Sequence, residues 1–158
     1  MKYFSIKEFT RSNTAVRLGI DNTPTQYQID NATEFINNLL DPLRECWTAY
    51  CNMYGLGTGS ITVTSGIRSK ALNDAIKGSS TSAHCRGFAV DMVPANGFMP
   101  EFKKFCITWL QDKQFDQFIS EDEDKNGTPG WIHLGYKSPN GSQRKQMLIM
   151  KNNKYYYM

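Results

Sequence analysis

The stretch SSTSAHCRGFAVDMV, residues 79–93, changes character halfway along. Its first half is small and polar, and its second half is an apolar run with one carboxylate, Asp91, set inside it. A β-strand over residues 88–92 accounts for that pattern. Phe88, Val90 and Met92 then share one face, and Ala89 and Asp91 the other, because side chains alternate along a strand. The apolar face packs on a core and leaves Asp91 pointing at whatever lies opposite. His84, one of two histidines in the chain, lies just upstream. The second, His133, falls in WIHLGY, residues 131–136. There Ile132, Leu134 and Tyr136 alternate with Trp131, His133 and Gly135, so His133 also stands on a non-core face. If the two strands are neighbours, His84, Asp91 and His133 converge.

Working outward, Ser5-Ile6-Lys7-Glu8 has the form of a capping box and predicts a short first helix. RSNTAVRLGIDNTP, residues 11–24, reads as loop. Thr23 as N-cap, Pro24 at the first helical position and Gln26 three residues past the cap open a long helix. Its apolar side runs Ile29, Ala32, Ile36, Leu39, Leu40, Leu43, Trp47, Tyr50, and Pro42 should kink or divide it. The glycine-rich YGLGTGS ends it. Ile61–Thr64 is a β-branched strand, and SGIRSKALNDAI turns into a short helix. KGSSTSAH is a polar loop. MPEFKKFCITWLQDK is a helix with Phe102, Phe105, Trp109 and Leu110 on one side. Phe115–Ser120 is a third strand, EDEDKNGTPG a hairpin connection, Trp131–Tyr136 the fourth strand and Met147–Met150 an edge strand. The terminal KYYYM reads as a packed or frayed tail rather than a substrate-facing rim. Helices come first and strands joined by short loops follow, which predicts an α+β fold.

With 158 residues, 40% of them apolar, the chain can bury a proper core, and without repeat or linker it reads as a single domain, residues 1–158. A net charge of +3 calls for no nucleic acid, although it suits an anionic polymer such as a bacterial wall. No stretch approaches a membrane span. MKYFSIKEFTRSN lacks the apolar region of a secretory leader, so the expectation is synthesis in a cytoplasm. Cys46, Cys51, Cys85 and Cys106 show no CxxC pairing and are expected to be buried, reduced thiols.

Two imidazoles and a carboxylate suit zinc in a site that keeps a fourth position open for water. Spacing alone leaves a second reading open: Asp91 hydrogen-bonds a loop, and the histidines are ordinary surface residues.

SAHCRGFAVD resembles the H-x-x-G-x-A-x-D signature of zinc D-alanyl-D-alanine carboxypeptidases and L-alanyl-D-glutamate peptidases, relatives of the hedgehog signalling domain. WIHLGY is similar to that family's W-x-H strand, and ITVTSGIRSKALNDAIKGSSTSAH to its strand, S-G-x-R-S and S-x-H approach. FTRSNTAVRLGIDNTP and LLDPLREC resemble small phage-type members, so the likeness spans about residues 5–136. It implies a hedgehog/D,D-peptidase-like antiparallel sheet with helices packed on one face. It implies His84, Asp91 and His133 as ligands of one zinc ion, and Arg68 as a group that holds a substrate carboxylate or stabilises an oxyanion. Ser82 matches a serine near substrate or metal, Gly87 allows a tight turn between ligands, and Trp131 can line the cleft.

Many relatives carry an acid three residues before the last histidine, and here that position is Gly130. The phage-type strand F-D-Q-x-I-x-E is matched by FDQFISE, residues 115–121, and nominates Glu121 as the general base. Asp122 and Glu123 are close substitutes and Asp116 an outside one. The resemblance thus implies a zinc-dependent hydrolase acting, as a monomer, on peptidoglycan peptides. It would be a carboxypeptidase or endopeptidase of endolysin type, released from a host cytoplasm or carried by a virion. The alternative is an inactive metal-containing wall-binding or virion structural module, which the absence of an acid at position 130 favours. Asp122-Glu123-Asp124-Lys125-Asn126-Gly127 also reads as the front half of a calcium loop. Its twelfth position is His133 and no helix flanks it. A turn on Asn126-Gly127 explains most of it, with a weakly held accessory Ca2+ at Asp122, Asp124 and Asn126 as the lesser alternative.

Overall fold

The computed structural model describes residues 1–158 and is α+β throughout. Helices α1 (Ile6–Thr10), α2 (Asn13–Leu18), α3 (Gln26–Phe35) and α4 (Asp41–Tyr54) precede strand β1 (Ile61–Ser65). Then come α5 (Lys70–Ala75), a 3-10 turn at Ala83–Arg86, β2 (Ala89–Pro94), α6 (Met99–Trp109), β3 (Gln117–Glu121), β4 (Trp131–Gly135), β5 (Gln146–Lys151) and β6 (Lys154–Tyr157). No helix is long and apolar enough to cross a membrane.

The six strands form one sheet in the order β1-β2-β4-β3-β5-β6. All pairs are antiparallel except β3 with β5, so the sheet is mixed at that one seam. Val90 and Met92 on β2, Phe118 on β3 and Ile132 and Leu134 on β4 are fully buried against Phe35, Leu43 and Trp47 of the long helix and Phe102 of α6. One face of the sheet is therefore the core, and the alternate side chains of the same strands are left for other work.

The capping box of α1 is present: Ser5 accepts from the Glu8 amide, and the Glu8 side chain accepts from the Ser5 amide. Two expectations need correction, and a third is met in altered form. Residues 13–18 are helix rather than loop, because Ser12 caps the Ala15 amide and Gly19 closes the C-terminus in the left-handed conformation. The cap of α3 is Thr25 with Gln28, not Thr23 with Gln26, so Pro24 lies before the cap. Pro42 does not end the helical stretch, although the division expected of it falls just before it. The residues before it, Ile36–Leu40, widen into a π turn in which the Asp41 amide reaches the Ile36 carbonyl, and Pro42 sits in the first turn of α4. Such a bulge relieves the clash of a proline ring with the preceding turn.

Two further corrections concern the C-terminus and the thiols. β5 is not an edge, because Lys154–Tyr157 form β6 beyond it. Cys51 and Cys106 are buried, but Cys85 is half-buried and Cys46 exposed on the outer side of α4.

Candidate active site

Asp91 and His133 stand directly opposite one another on the antiparallel pair β2–β4. Their neighbours Val90, Met92, Ile132 and Leu134 are anchored in the core, which turns both polar side chains to the other face. His84 arrives from the 3-10 turn and is buried. Its Nδ1 lies 2.7 Å from the Gly66 carbonyl. A carbonyl only accepts, so Nδ1 carries the proton and Nε2 presents its lone pair.

That Nε2 is 3.3 Å from His133 Nδ1 and 3.3 Å from Asp91 Oδ1, and His133 Nδ1 is 2.9 Å from Asp91 Oδ1. Ligand atoms about 2.0–2.1 Å from a tetrahedral zinc ion are themselves about 3.3 Å apart. The three donors therefore fit one zinc ion, with Nε2 of His84 already in the ligating form.

Supporting contacts fix this arrangement. Arg68 donates from Nη2 to Asp91 Oδ2 at 2.9 Å and from Nε to Ser65 Oγ at 3.1 Å. The guanidinium thus occupies one carboxylate oxygen and leaves Oδ1 for the metal. Gln28 on α3 donates to the backbone carbonyls of Arg68 and Cys85, binding the two loops together. Gly66 packs so closely on α1 that a Cβ there would collide with the Phe9 backbone. At Gly87 φ is +79°, and a Cβ would collide with the Gln28 carbonyl, so only glycine fits between the ligands. Gly66 and Gln28 were not singled out from sequence. The glycine of S-G-x-R-S was visible, but its partner on α1 is distant in the chain.

Burial would raise the Asp91 carboxyl, but the charges and hydrogen bonds of His84 and His133 outweigh it and hold Asp91 well below the usual carboxylate range. Burial pushes His84 below the ordinary imidazole value, with Asp91 acting in the opposite direction.

The triad opens into a cleft of about 650 Å3 whose lining includes Arg68, Ser82, Glu121 and Trp131. Glu121 ends β3, opposite Trp131 and close to the position of Gly130, whose amide donates to the Glu121 carbonyl. Burial raises its carboxyl above the ordinary glutamate value; Asp91 adds to this, while His133 and Arg68 work against it. The other acids are placed differently. Asp116 also lines the cleft but is held by Arg144 through two bonds of 2.6 and 2.8 Å. Glu123 turns to Lys103 and Ser120, and Asp122 is exposed.

The accessory calcium site at Asp122, Asp124 and Asn126 is not supported. Asp124 Oδ1 is spent on the amides of Asn126 and Thr128 within the turn. The metal-ligand cluster that forms is His84, Asp91 and His133. Without a neighbouring helix to supply the closing glutamate, the D-x-D-x-N-G run folds as a hairpin turn.

No curated protein matches the sequence. A family model described as Peptidase M15 matches residues 2–134, a span that contains His84, Asp91 and His133, which could hold one metal ion, together with Arg68 and Glu121. The chain belongs to the peptidase M15 family.

Proposed function

We propose that the chain is a zinc peptidase that hydrolyses peptide bonds in the stem peptides of bacterial peptidoglycan. The observation that carries this reading is the meeting of His84 Nε2, Asp91 Oδ1 and His133 Nδ1 at zinc-ligand spacing, on an open cleft, in a chain of a peptidase family. The SAHCRGFAVD and WIHLGY motifs support the wall peptide as substrate, and the phage-type FDQFISE motif supports an endolysin acting after release from a host or from a virion.

Zinc held by these three atoms would supply Lewis-acid polarisation of the scissile carbonyl and a water of lowered pKa. Glu121 takes a proton from the attacking water as the C–O bond forms, and then returns it to the leaving nitrogen as the C–N bond breaks. Its raised carboxyl suits a group that must both accept and release a proton near neutrality. In the antiparallel hairpin Glu121 lies beside position 130, so the carboxylate comes from the neighbouring strand where the chain has a glycine. Arg68 keeps Asp91 aimed through Nη2 and is itself held by Ser65 through Nε, which leaves Nη1 to meet a substrate carboxylate or a developing oxyanion. Ser82 and Trp131 contact substrate from the cleft walls.

Zinc-loaded protein incubated with purified muropeptides and weighed by mass spectrometry should release free alanine if it trims stems, or two stem fragments if it cuts within them. Glu121→Gln should keep one zinc per chain and lose hydrolysis by about 10²–10⁴-fold. Zinc loss in that variant would show the roles to be misassigned. The absence of an acid at position 130 favours a second reading, an inactive wall-binding module; wall pull-down without any product from the zinc-loaded chain would establish it.

A further inference from the structure

The sheet registers line up the site face in rows. Asp91, His133, Ile119, Leu148 and Tyr157 stand side by side across five strands. Trp131, Glu121, Met150 and Tyr155 form the next row. Beyond Asp91 and His133 the first row is therefore apolar, with Ile119 and Leu148 buried between polar neighbours such as Gln117 and Glu121. At its far side Tyr155 lines the same cleft as Glu121 and His133, yet remains 61% exposed. Tyr155 is two strand spacings, about 10 Å, from Glu121 along its row. The Tyr155 phenol is held above its ordinary value by partial burial first and then by the Glu121 and Asp91 carboxylates, in keeping with a side chain leaning toward the site.

All of this wall comes from the last part of the chain. The family match ends at residue 134, whereas Arg144, Leu148 and Tyr155 lie beyond it. Arg144 is fastened to Asp116, and its backbone neighbour Lys145 donates to the Phe115 carbonyl, which docks the segment on the residues that lead into β3. The parallel pairing of β5 with β3 then carries Leu148 to the side of Ile119.

We propose that the β5–β6 hairpin is a substrate subsite added to the shared peptidase core, in which Leu148 and Ile119 receive a small aliphatic side chain of the peptide and the Tyr155 ring closes over it. The inference rests on the peptidase reading above. An exposed aromatic ring beside the small apolar patch of Ile119 and Leu148 gains contact when a ligand fills the gap, and a ring of this kind contributes through packing as well as through its polar tip. Tyr156, on the same strand, pairs with Ile149 and points to the opposite face.

The test is steady-state kinetics of the zinc-loaded chain on a purified stem peptide, with zinc content measured for each variant. Tyr155→Ala should raise KM about tenfold, the worth of one lost aromatic contact, with kcat within about twofold and zinc content intact. Tyr155→Phe, which keeps the ring, should stay near wild type, as should Tyr156→Ala. Wild-type kinetics in Tyr155→Ala, or a fall in kcat alone, would overturn the subsite while leaving the peptidase reading in place. A wild-type chain that holds zinc and binds walls but cleaves no stem peptide would overturn the peptidase reading, and the subsite with it.

Discussion

Asp91 has two oxygens with two sets of partners: Oδ2 accepts from Arg68, and Oδ1 faces His84 and His133 where a metal ion could sit. Removing Arg68 leaves a carboxylate that can rotate, so Arg68→Ala should weaken zinc binding by about 10–100-fold, the usual effect of losing a group that orients a ligand. Competition with a chelator of known affinity would measure it; unchanged affinity would mean that the core alone fixes Asp91. His84 offers a second check. Burial lowers its affinity for a proton in the folded chain. The unfolded chain therefore protonates first, and the metal-free fold should lose stability as pH falls below about 6.5, until folded His84 itself titrates. In chelator-treated protein at pH 6, long-range 1H–15N NMR should find His84 neutral with its proton on Nδ1, facing the Gly66 carbonyl. A protonated ring at that pH would contradict the assignment. The chain made these residues candidates: strand alternation placed Asp91 and His133 on non-core faces, and the resemblance of SAHCRGFAVD, SGIRS and WIHLGY to family motifs nominated His84, Asp91, His133 and Arg68. Their supports were not legible there: Gly66 matters because α1 lies against it, and Gln28 because it bridges loops far downstream.

Local rules decided most elements, and where they misled, the cause was a competing local signal. Thr23-Pro24 looked like a helix start, but Thr25 with Gln28 makes the reciprocal cap two residues later. Thr25→Ala should cost about 1 kcal/mol of stability, read from urea unfolding, whereas Thr23→Ala should change it by less than half as much. Asp21 receives the Thr23 amide and hydroxyl, which is a turn rather than a helix cap. Pro42 was expected to kink or divide the long helix, and the division comes as the π turn before it, which absorbs the ring. KYYYM carried no pattern that separates a tail from a strand, because its residues are all exposed and its pairing partner is the strand just before it.

Across the whole molecule, the sheet is a partition. One face holds Phe118, Val90 and Leu134 in the core, and the other holds Asp91 and His133, which His84 joins from the 3-10 turn. Phe118→Ala should therefore destabilise by about 3–5 kcal/mol and lower the midpoint of thermal unfolding with or without metal. Glu121→Gln, on the opposite face of the same strand, should leave that midpoint nearly unchanged. Adding zinc at 100 times its dissociation constant should raise stability by about 2.7 kcal/mol, and an unshifted melting curve would argue against a preformed site. By itself the sequence determined the α+β class and which faces of the two strands carry Asp91 and His133, because alternation and composition are local properties of the chain; the candidate ligand set came from the family resemblance of its motifs. Only the tertiary structure decided that the three candidate ligand atoms lie 2.9–3.3 Å from one another, that Glu121 rather than Asp116, Asp122 or Glu123 stands free in the cleft, and that the last strands complete its wall. Those facts depend on which strands become neighbours and in what register, and register is set by packing between segments far apart in the chain.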